Sequence, residues 1–176
     1  VSSSAASDVY KRQVSNALGT VNDIEKIINL SHNVGASVLI DGAQAVPHFK
    51  VDVSKLDVDF YVCSAHKFCG PTGVGILYGK KEWLDKLPPY QGGGEMIDEV
   101  SFEKTTYSDL PNKFEPGTPN IAGVIASGIA LDYINNIGLE EIKEYEDYLL
   151  YYATKKLLKI NGLKIYGESK LSLIHI

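Results

Sequence analysis

The sequence predicts an α/β fold in which helices flank a mostly parallel sheet, and three features support this prediction. Two short, β-branched apolar runs, 36–40 and 58–63, resemble strands that are buried on both faces. A segment with helical spacing precedes the first run, and a further strand is expected at 75–78, after a Gly-Pro turn. Helix, buried strand, connection and buried strand follow one another as in parallel sheets.

The first helix is expected to begin at Asn22, a good N-cap residue, with Glu25 three positions later. Asn33 and Gly35 mark its expected end. Apolar residues with roughly helical spacing lie between these signals: Ile24, Ile27, Ile28 and Leu30.

The second half of the chain predicts a long loop followed by two helices. Residues 87–108 are rich in Gly and Pro and have no period, which favours a loop. Asn120 is the expected cap of a helix that ends at Gly138. A second helix is predicted from Leu139 to about Ile160, and a strand over 163–166.

Both late helices are predicted to have an apolar face. The first face comprises Ile121, Val124, Ile125, Ile129, Leu131, Ile134 and Ile137. The inward residues of the second helix are expected to be Ile142, Tyr145, Leu149, Tyr152, Ala153 and Leu157.

Composition narrows the function classes. The 176 residues carry 17 basic and 22 acidic side chains, and this net charge of −5 gives no basic footprint for nucleic acid. Without an apolar run near 18 residues, no membrane span is expected. Two cysteines cannot build a disulfide framework, so a reducing compartment is favoured, with the cytoplasm as the default.

Polar residues follow both buried runs. Asp41 and Gln44 come after the first, and Ser64, His66 and Lys67 after the second. In open α/β sheets, ligands bind at the carboxyl ends of the strands. These residues are therefore the candidate site.

A lysine and a carboxylate at neighbouring strand ends fit pyridoxal phosphate. Partial burial leaves some lysine neutral, so Lys67 could form an imine with the cofactor aldehyde. Asp41 could keep the pyridine nitrogen protonated. Gln44 could bond the ring hydroxyl, while Ser64 and His66 could hold phosphate oxygens.

The residues of this region also allow two other interpretations. Cys63, His66 and Cys69, with His48, superficially resemble a metal cluster, but zinc ligands usually come as two close pairs. Buried core thiols explain the cysteines better, and no metal is expected. The 70–75 stretch lacks the Lys-Ser or Lys-Thr of a phosphate loop and precedes a strand, so a tight turn is favoured.

Five strings, taken in order, resemble the class V aminotransferase fold family of pyridoxal-phosphate enzymes. They are VSNALGT, LIDGAQAVPH, SAHKFCGPTGVGILYGK, GGGEMI and FEPGTPN, and the resemblance covers about 14–169. Within the family they look most like SufS-type group II cysteine desulfurases. The resemblance implies the large domain of the fold type I transferases, present here in part.

The resemblance also implies an activity and partners. Such an enzyme takes sulfur from L-cysteine, leaves L-alanine, and carries the sulfur as a persulfide toward iron–sulfur cluster assembly. It is expected to be a homodimer with shared active sites. A sulfur-acceptor protein of the SufE or SufU type is the expected partner.

Site roles carry over residue by residue. Lys67 matches the lysine that forms the imine with the cofactor and then moves protons, and Asp41 and Gln44 match the partners of the pyridine nitrogen and the ring hydroxyl. Ser64 and His66 match phosphate ligands.

Two further positions follow from the family pattern. Thr118 matches a threonine that reaches the phosphate in the neighbouring subunit, and Asn16 matches an asparagine near the substrate carboxylate.

The domain prediction has four parts: a foreign or disordered segment over 1–13, a partial cofactor-binding large domain over 14–160, the start of the small C-terminal domain over 161–170, and a foreign tail over 171–176. The family's persulfide cysteine and carboxylate-binding arginine are expected in a later segment. Its ring-stacking histidine and a further phosphate-binding threonine are expected upstream. We therefore expect a fragment with little or no desulfurase activity by itself.

Two alternative functions stay open from the sequence. A selenocysteine lyase, or another lyase or transaminase of the same fold, would share these motifs. A non-catalytic module that dimerises or binds a partner would keep the fold without the chemistry.

Overall fold

A computed structural model of the chain describes residues 8–166. Its strands are β1 (Asp8–Arg12), β2 (Ser37–Asp41), β3 (Phe60–Ser64), β4 (Gly75–Gly79), β5 (Ile97–Val100) and β6 (Thr105–Tyr107). Its α-helices are α1 (Ile24–His32), α2 (Val53–Leu56), α3 (Lys81–Lys86), α4 (Ile121–Ile137) and α5 (Leu139–Leu157). Short 3₁₀ helices cover Ala65–Phe68 and Asn112–Phe114.

The main sheet has four strands in the order β1-β2-β3-β4. β1, β2 and β3 are parallel, and β4 returns antiparallel along β3. Arg12 of β1 pairs with Asp41 of β2, and Asp41 pairs with Val62 of β3. The predicted α/β class with a mainly parallel sheet is confirmed.

The main core lies between β2 and α1. Val38 and Ile40 are fully buried, as is Ile28 of α1. Ile24, Val58 and Tyr61 complete this cluster. The other face of β2 is only partly covered, so the prediction of a strand buried on both faces is wrong for the described part of the chain.

Helix α1 begins one residue later than predicted. Asp23 is its N-cap, since a side-chain oxygen of Asp23 accepts from the Lys26 N–H at 3.0 Å. Asn22 instead donates from Nδ2 to the Arg12 carbonyl at 2.7 Å, which joins the start of the helix to β1. Asn33 is the C-cap, and Gly35 has the positive φ of 75° expected where a helix turns into a strand.

The predicted loop over 87–108 is partly wrong, because it contains the β5–β6 hairpin. A turn closes the hairpin: the Ser101 N–H donates to the Lys104 carbonyl, and its hydroxyl accepts from the N–H groups of Glu103 and Lys104. The strands are short and mostly exposed. They therefore lack the alternation by which a half-buried strand is recognised.

Helix α4 has the predicted cap but buries a different stripe. Asn120 accepts from the Gly123 N–H at 3.1 Å, which confirms the cap. The buried residues are Gly123, Ser127, Ala130 and Ile134, one per turn. Six of the seven predicted apolar-face residues are exposed, with Ile134 the exception.

Helix α5 contains no fully buried residue, although Leu139 and Ile142 pack against the base of α4. Of the residues predicted to face inward, Ile142, Ala153 and Leu157 are half-buried. The prediction is wrong for Tyr145, Leu149 and Tyr152, which are exposed. Residues 163–166 form no strand, which also differs from the prediction. Over residues 8–166, no single helix is long and apolar enough to cross a membrane; α4 and α5 meet those criteria only jointly, as a pair bent by 70°.

The predicted segment boundaries fall partly inside the structure. Residues 8–12, within the stretch predicted to be foreign or disordered, form the edge strand β1. Residues 1–7 and the predicted tail over 171–176 lie outside the described residues. The boundaries at 160 and 161–170 stay predictions.

A buried carboxylate fastens the amino ends of β2 and β3 to their surroundings. Asp59 Oδ2 accepts from the Val38 N–H and from His32 Nε2, both at 2.8 Å. Its Oδ1 accepts from Trp83 Nε1 at 3.1 Å and pairs with Lys80 Nζ at 3.3 Å. Burial is the largest influence and raises the pKa of Asp59, but these donors together lower that pKa below its ordinary value.

We predict that Asp59→Asn destabilises the chain by roughly 3 kcal/mol at neutral pH, since the buried negative charge beside Lys80 is lost and only one of the two side-chain oxygens can still accept hydrogen bonds. The folded-state pKa is depressed, so the ionised carboxylate contributes fully above the ordinary pKa of about 4. That contribution is lost as pH falls through the lower folded-state pKa. The gap between wild type and variant should therefore shrink in acid, as measured by urea unfolding at several pH values.

Asp85→Asn is the matched control, because Asp85 forms an exposed pair with Lys81 within α3. It should change the free energy of unfolding by less than about 1 kcal/mol. Equal stabilities of wild type and Asp59→Asn at neutral pH would contradict the role of Asp59.

Candidate active site

The site lies where β2 and β3 end. Asp41 is the last residue of β2, and the Gly42 N–H donates to the Val62 carbonyl of β3 at 2.8 Å. Ser64 ends β3, and Lys67 follows in the first 3₁₀ helix. Parallel pairing therefore brings the carboxylate and the amine to one edge of the sheet, as the sequence predicts.

The Asp41 carboxylate has partners on β1 that the sequence did not reveal. Its Oδ2 accepts from the Tyr10 hydroxyl at 2.6 Å and lies 3.5 Å from Arg12 Nε. Its Oδ1 accepts from the Ala43 N–H at 3.1 Å. The hydrogen bond to Asp41, with a smaller effect of burial, raises the pKa of Tyr10.

Lys67 is directed at the loop that follows β1. Its Nζ donates to Asn16 Oδ1 at 3.1 Å. Asn16 lies in a tight turn in which the Gly19 N–H donates to the Ser15 carbonyl, and Gly19 has a φ of 65°. Two residues predicted to act at the site, 51 positions apart, are thus in contact.

Buried neighbours fix the short helix that carries Lys67. Ala65 and Phe68 are buried and pack against Ala130 and Ile134 of α4. The Ala65 N–H also donates to the Val74 carbonyl at 3.0 Å. Because Ala65 and Phe68 face the core, His66 and Lys67, which lie between them, are left on the open side of the helix.

The remaining predicted ligands differ in exposure. Ser64 is half-buried and His66 is exposed at the start of the same 3₁₀ helix. Gln44 is half-buried within a series of turns over residues 42–49, which we name the Gln44 turn. Its position directly after β2 places Gln44 on the same edge of the sheet as Asp41.

Thr118 lies in a different loop from these residues. It is exposed, in a loop fastened to the Gly-rich segment by a 2.8 Å hydrogen bond from the Gly117 N–H to the Gly94 carbonyl. Within residues 8–166, no hydrogen bond or ion pair connects Thr118 to Lys67 or Asp41. Its predicted role across a subunit boundary stays a prediction.

The two thiols differ from each other. Cys63 is half-buried and packs against both core clusters, and burial raises the pKa of its thiol. Cys69 is exposed and has a φ of 65°, so the prediction of two buried core thiols is wrong for this residue. Within the described chain, no group of three or more His, Cys, Asp or Glu side chains is arranged to hold a metal.

Tyr10 and Arg12 are site residues that the sequence does not predict, because the segment over 1–13 has no sustained apolar period and is therefore predicted to be foreign or disordered. The only available signal was indirect. A strand in parallel register with β2 must present alternate side chains beside Asp41, but nothing in the short segment itself predicts that register.

The residues present fit pyridoxal phosphate by their chemistry. An ionised carboxylate has about four acceptor positions, and Tyr10, Arg12 and Ala43 use three of those on Asp41, so a pyridinium N–H could still be accepted. Lys67 supplies an amine at the same sheet edge. A hydroxyl and an imidazole, on Ser64 and His66, shortly precede it in the chain and suit a phosphate group.

Comparison with known proteins gives a consistent family. The aminotransferase class-V family model matches residues 4–176. The chain is 52% identical over 159 residues to a cysteine desulfurase of Serratia proteamaculans, covering 90% of this chain and 39% of that protein. It is 54% identical over 157 residues to a cysteine desulfurase of Synechococcus elongatus, covering 89% and 25%.

Solved structures agree with the sequence relatives. The cysteine desulfurase CsdA of Escherichia coli, in an S-sulfonic acid form, superposes with a TM-score of 0.85 at 41% identity, over 89% of this chain and 39% of that one. An apo cysteine desulfurase from Thermococcus onnurineus gives 0.87 at 36% identity, over 94% and 42%. The chain thus spans about two fifths of the length of these structures.

We predict that Gly42→Ala disrupts this edge of the sheet. A methyl group at Gly42 would overlap the hydroxyl end of Tyr61. Tyr61 cannot easily move, because it is buried and donates to the buried Gln13 side chain at 2.7 Å. We expect a loss of about 2 kcal/mol in the free energy of unfolding, measured by denaturant titration.

Gly128→Ala is the matched control, since Gly128 lies in α4 and an added methyl group there meets nothing within 4 Å. It should stabilise the chain by about 0.5–1 kcal/mol. A Gly42→Ala variant with the free energy of unfolding of wild type would contradict this prediction, because it would show that Tyr61 can shift without loss of stability.

Proposed function

Because this chain belongs to the aminotransferase class V family, we propose that it is part of a pyridoxal-phosphate-dependent cysteine desulfurase. Such an enzyme moves the sulfur of L-cysteine onto an enzyme thiol as a persulfide and releases L-alanine. The main support is the placement of Asp41 and Lys67 at the ends of adjacent parallel strands. Roughly 50% identity to cysteine desulfurases along most of the chain favours this activity over others of the fold.

The roles proposed for the residues follow from their chemistry. When bound, pyridoxal phosphate supplies an electron sink for charge that develops at the α-carbon of an amino acid. Asp41 is proposed to hold the proton of the pyridine nitrogen, and Gln44 to bond the ring hydroxyl. Lys67 is proposed to anchor the cofactor aldehyde and then to move protons at the reacting carbons.

The other ligands complete the proposal. Ser64 and His66 would bind phosphate oxygens, as a hydroxyl and an imidazole can. Asn16, which holds the Lys67 amine at 3.1 Å, would turn to the substrate carboxylate once that amine is engaged. Thr118, which is exposed and has no hydrogen bond to Lys67 in the described chain, suits a contact made across a dimer.

Three finer parts of the proposal rest on the motif resemblance. They are the SufS-type group, a homodimer with shared sites, and a SufE- or SufU-type sulfur acceptor. The cytoplasm is the proposed compartment, supported by the presence of only two cysteines in the sequence.

Borohydride labelling tests the proposed function. Incubation with pyridoxal phosphate and borohydride should leave the cofactor attached to Lys67, as located by peptide mass spectrometry. Lys67→Ala should abolish the label. Lys55→Ala is the control and should keep it, because Lys55 is 86% exposed and lies on α2. Folded protein that takes no label, or takes it equally at several lysines, would refute the proposal.

We also propose that the 176-residue chain alone releases little or no sulfide from L-cysteine. The family's persulfide cysteine belongs to a later segment, and burial raises the pKa of the Cys63 thiol, which disfavours the thiolate needed for sulfur transfer. Sulfide and alanine should both match the background of Lys67→Ala. Release clearly above that background would contradict this part of the proposal.

A further inference from the structure

The Gln44 turn is held within itself by four backbone hydrogen bonds. The Ala45 and Val46 N–H groups donate to the Gly42 carbonyl at 2.9 and 3.1 Å. The His48 and Phe49 N–H groups donate to the Ala45 carbonyl at 3.0 and 3.3 Å. The position of Gln44 therefore depends on where the whole turn lies, and not on its own side chain alone.

The far end of this turn is fastened to α5. His48 Nδ1 lies 2.9 Å from both carboxylate oxygens of Glu146, a residue 98 positions away. The two side chains are only 15% and 27% exposed. Since an ionised carboxylate can only accept, Nδ1 is the donor in this contact.

The same helix also supports the segment that carries Lys67. Ile142, one helical turn before Glu146, packs with Leu139 against the cluster that contains Ala65 and Phe68. Residues four apart lie on one face of a helix, so Ile142 and Glu146 face the same side. Helix α5 thus contacts both halves of the site with one face, through an apolar contact from Ile142 to the Lys67 segment and a polar contact from Glu146 to the Gln44 turn.

We infer that His48 and Glu146 are positioning residues, which hold the Gln44 turn at a fixed place relative to the Lys67 helix. The inference rests on the proposed function, since Gln44 matters there as a cofactor ligand. Neither His48 nor Glu146 is placed in the catalytic machinery. Their effect on the site passes through the turn.

The first test measures the turn in the cofactor-free chain. His48→Phe keeps a ring but removes the donor, and it should raise amide hydrogen exchange at residues 45–49 roughly tenfold. His48→Asn keeps a nitrogen donor near the Nδ1 position and should restore wild-type exchange. Asp147→Asn is the matched control on α5, because it removes only an exposed carboxylate paired with Lys143. Equal exchange in His48→Phe and wild type would overturn the inference.

The second test uses the visible absorption spectrum of added pyridoxal phosphate, which a change of stability alone would not move. His48→Phe should shift the spectrum and weaken cofactor binding about tenfold, as Gln44→Leu should. If His48 acts through the turn, the double variant should do no more than Gln44→Leu. A spectrum unchanged in His48→Phe, or additive effects in the double variant, would overturn the inference.

A second pair of variants covers the case in which His48→Phe fails to fold. Glu146→Gln keeps an acceptor oxygen and should behave as wild type, whereas Glu146→Ala should reproduce the shifted spectrum. Failure of the wild-type chain to bind pyridoxal phosphate would instead refute the proposed function, and the exchange measurements on the cofactor-free chain would then decide by themselves whether His48 holds the turn. Binding by wild type with no difference between the two Glu146 variants would refute the positioning role alone.

Discussion

The parallel register of β2 against β3 is the constraint on which the rest of the structure depends. Asp41, the last residue of β2, pairs with Val62 of β3. Ser64 ends β3 two residues later, and Lys67 follows in the short 3₁₀ helix, so the two strands end side by side. A shift of one residue would turn the buried and exposed faces of β2 over and remove Val38 and Ile40 from the core. Core packing and site geometry are thus set by the same register.

The two ends of β2 and β3 differ in role: the amino ends are anchored in the fold, and the carboxyl ends present the candidate site. At the amino ends, the buried Asp59 accepts hydrogen bonds from α1, β2 and α3, which fixes the strands against their neighbours. At the carboxyl ends, side chains stay partly open: among residues 8–166, the one hydrogen bond of the Lys67 amine goes to the exposed Asn16. The contacts at the amino ends position the strands, so the reactive groups at the carboxyl ends need no buried contacts of their own to be placed.

Much of the fold and of the site could be predicted from local patterns, and the failures share a cause. The apolar spacing of α4 predicted a helix and its cap correctly, but the stripe that it buries includes Ala130, whereas Ile125 and Ile129 of the predicted face are exposed. The β5–β6 hairpin was not predicted, because its strands are mostly exposed and lack an alternating apolar pattern. Local spacing shows which faces can be buried, and only packing partners decide which faces are.

By itself, the sequence determined the residue types at the strand ends, the cap at Asn120, and the expected placement of Asp41 and Lys67 at the same edge of the sheet. These depend on short-range chemistry and on the general geometry of parallel sheets. Tertiary structure alone decided that Tyr10 and Arg12 reach Asp41 and that His48 meets Glu146. Such pairs join distant segments through register and helix placement, which no local pattern encodes.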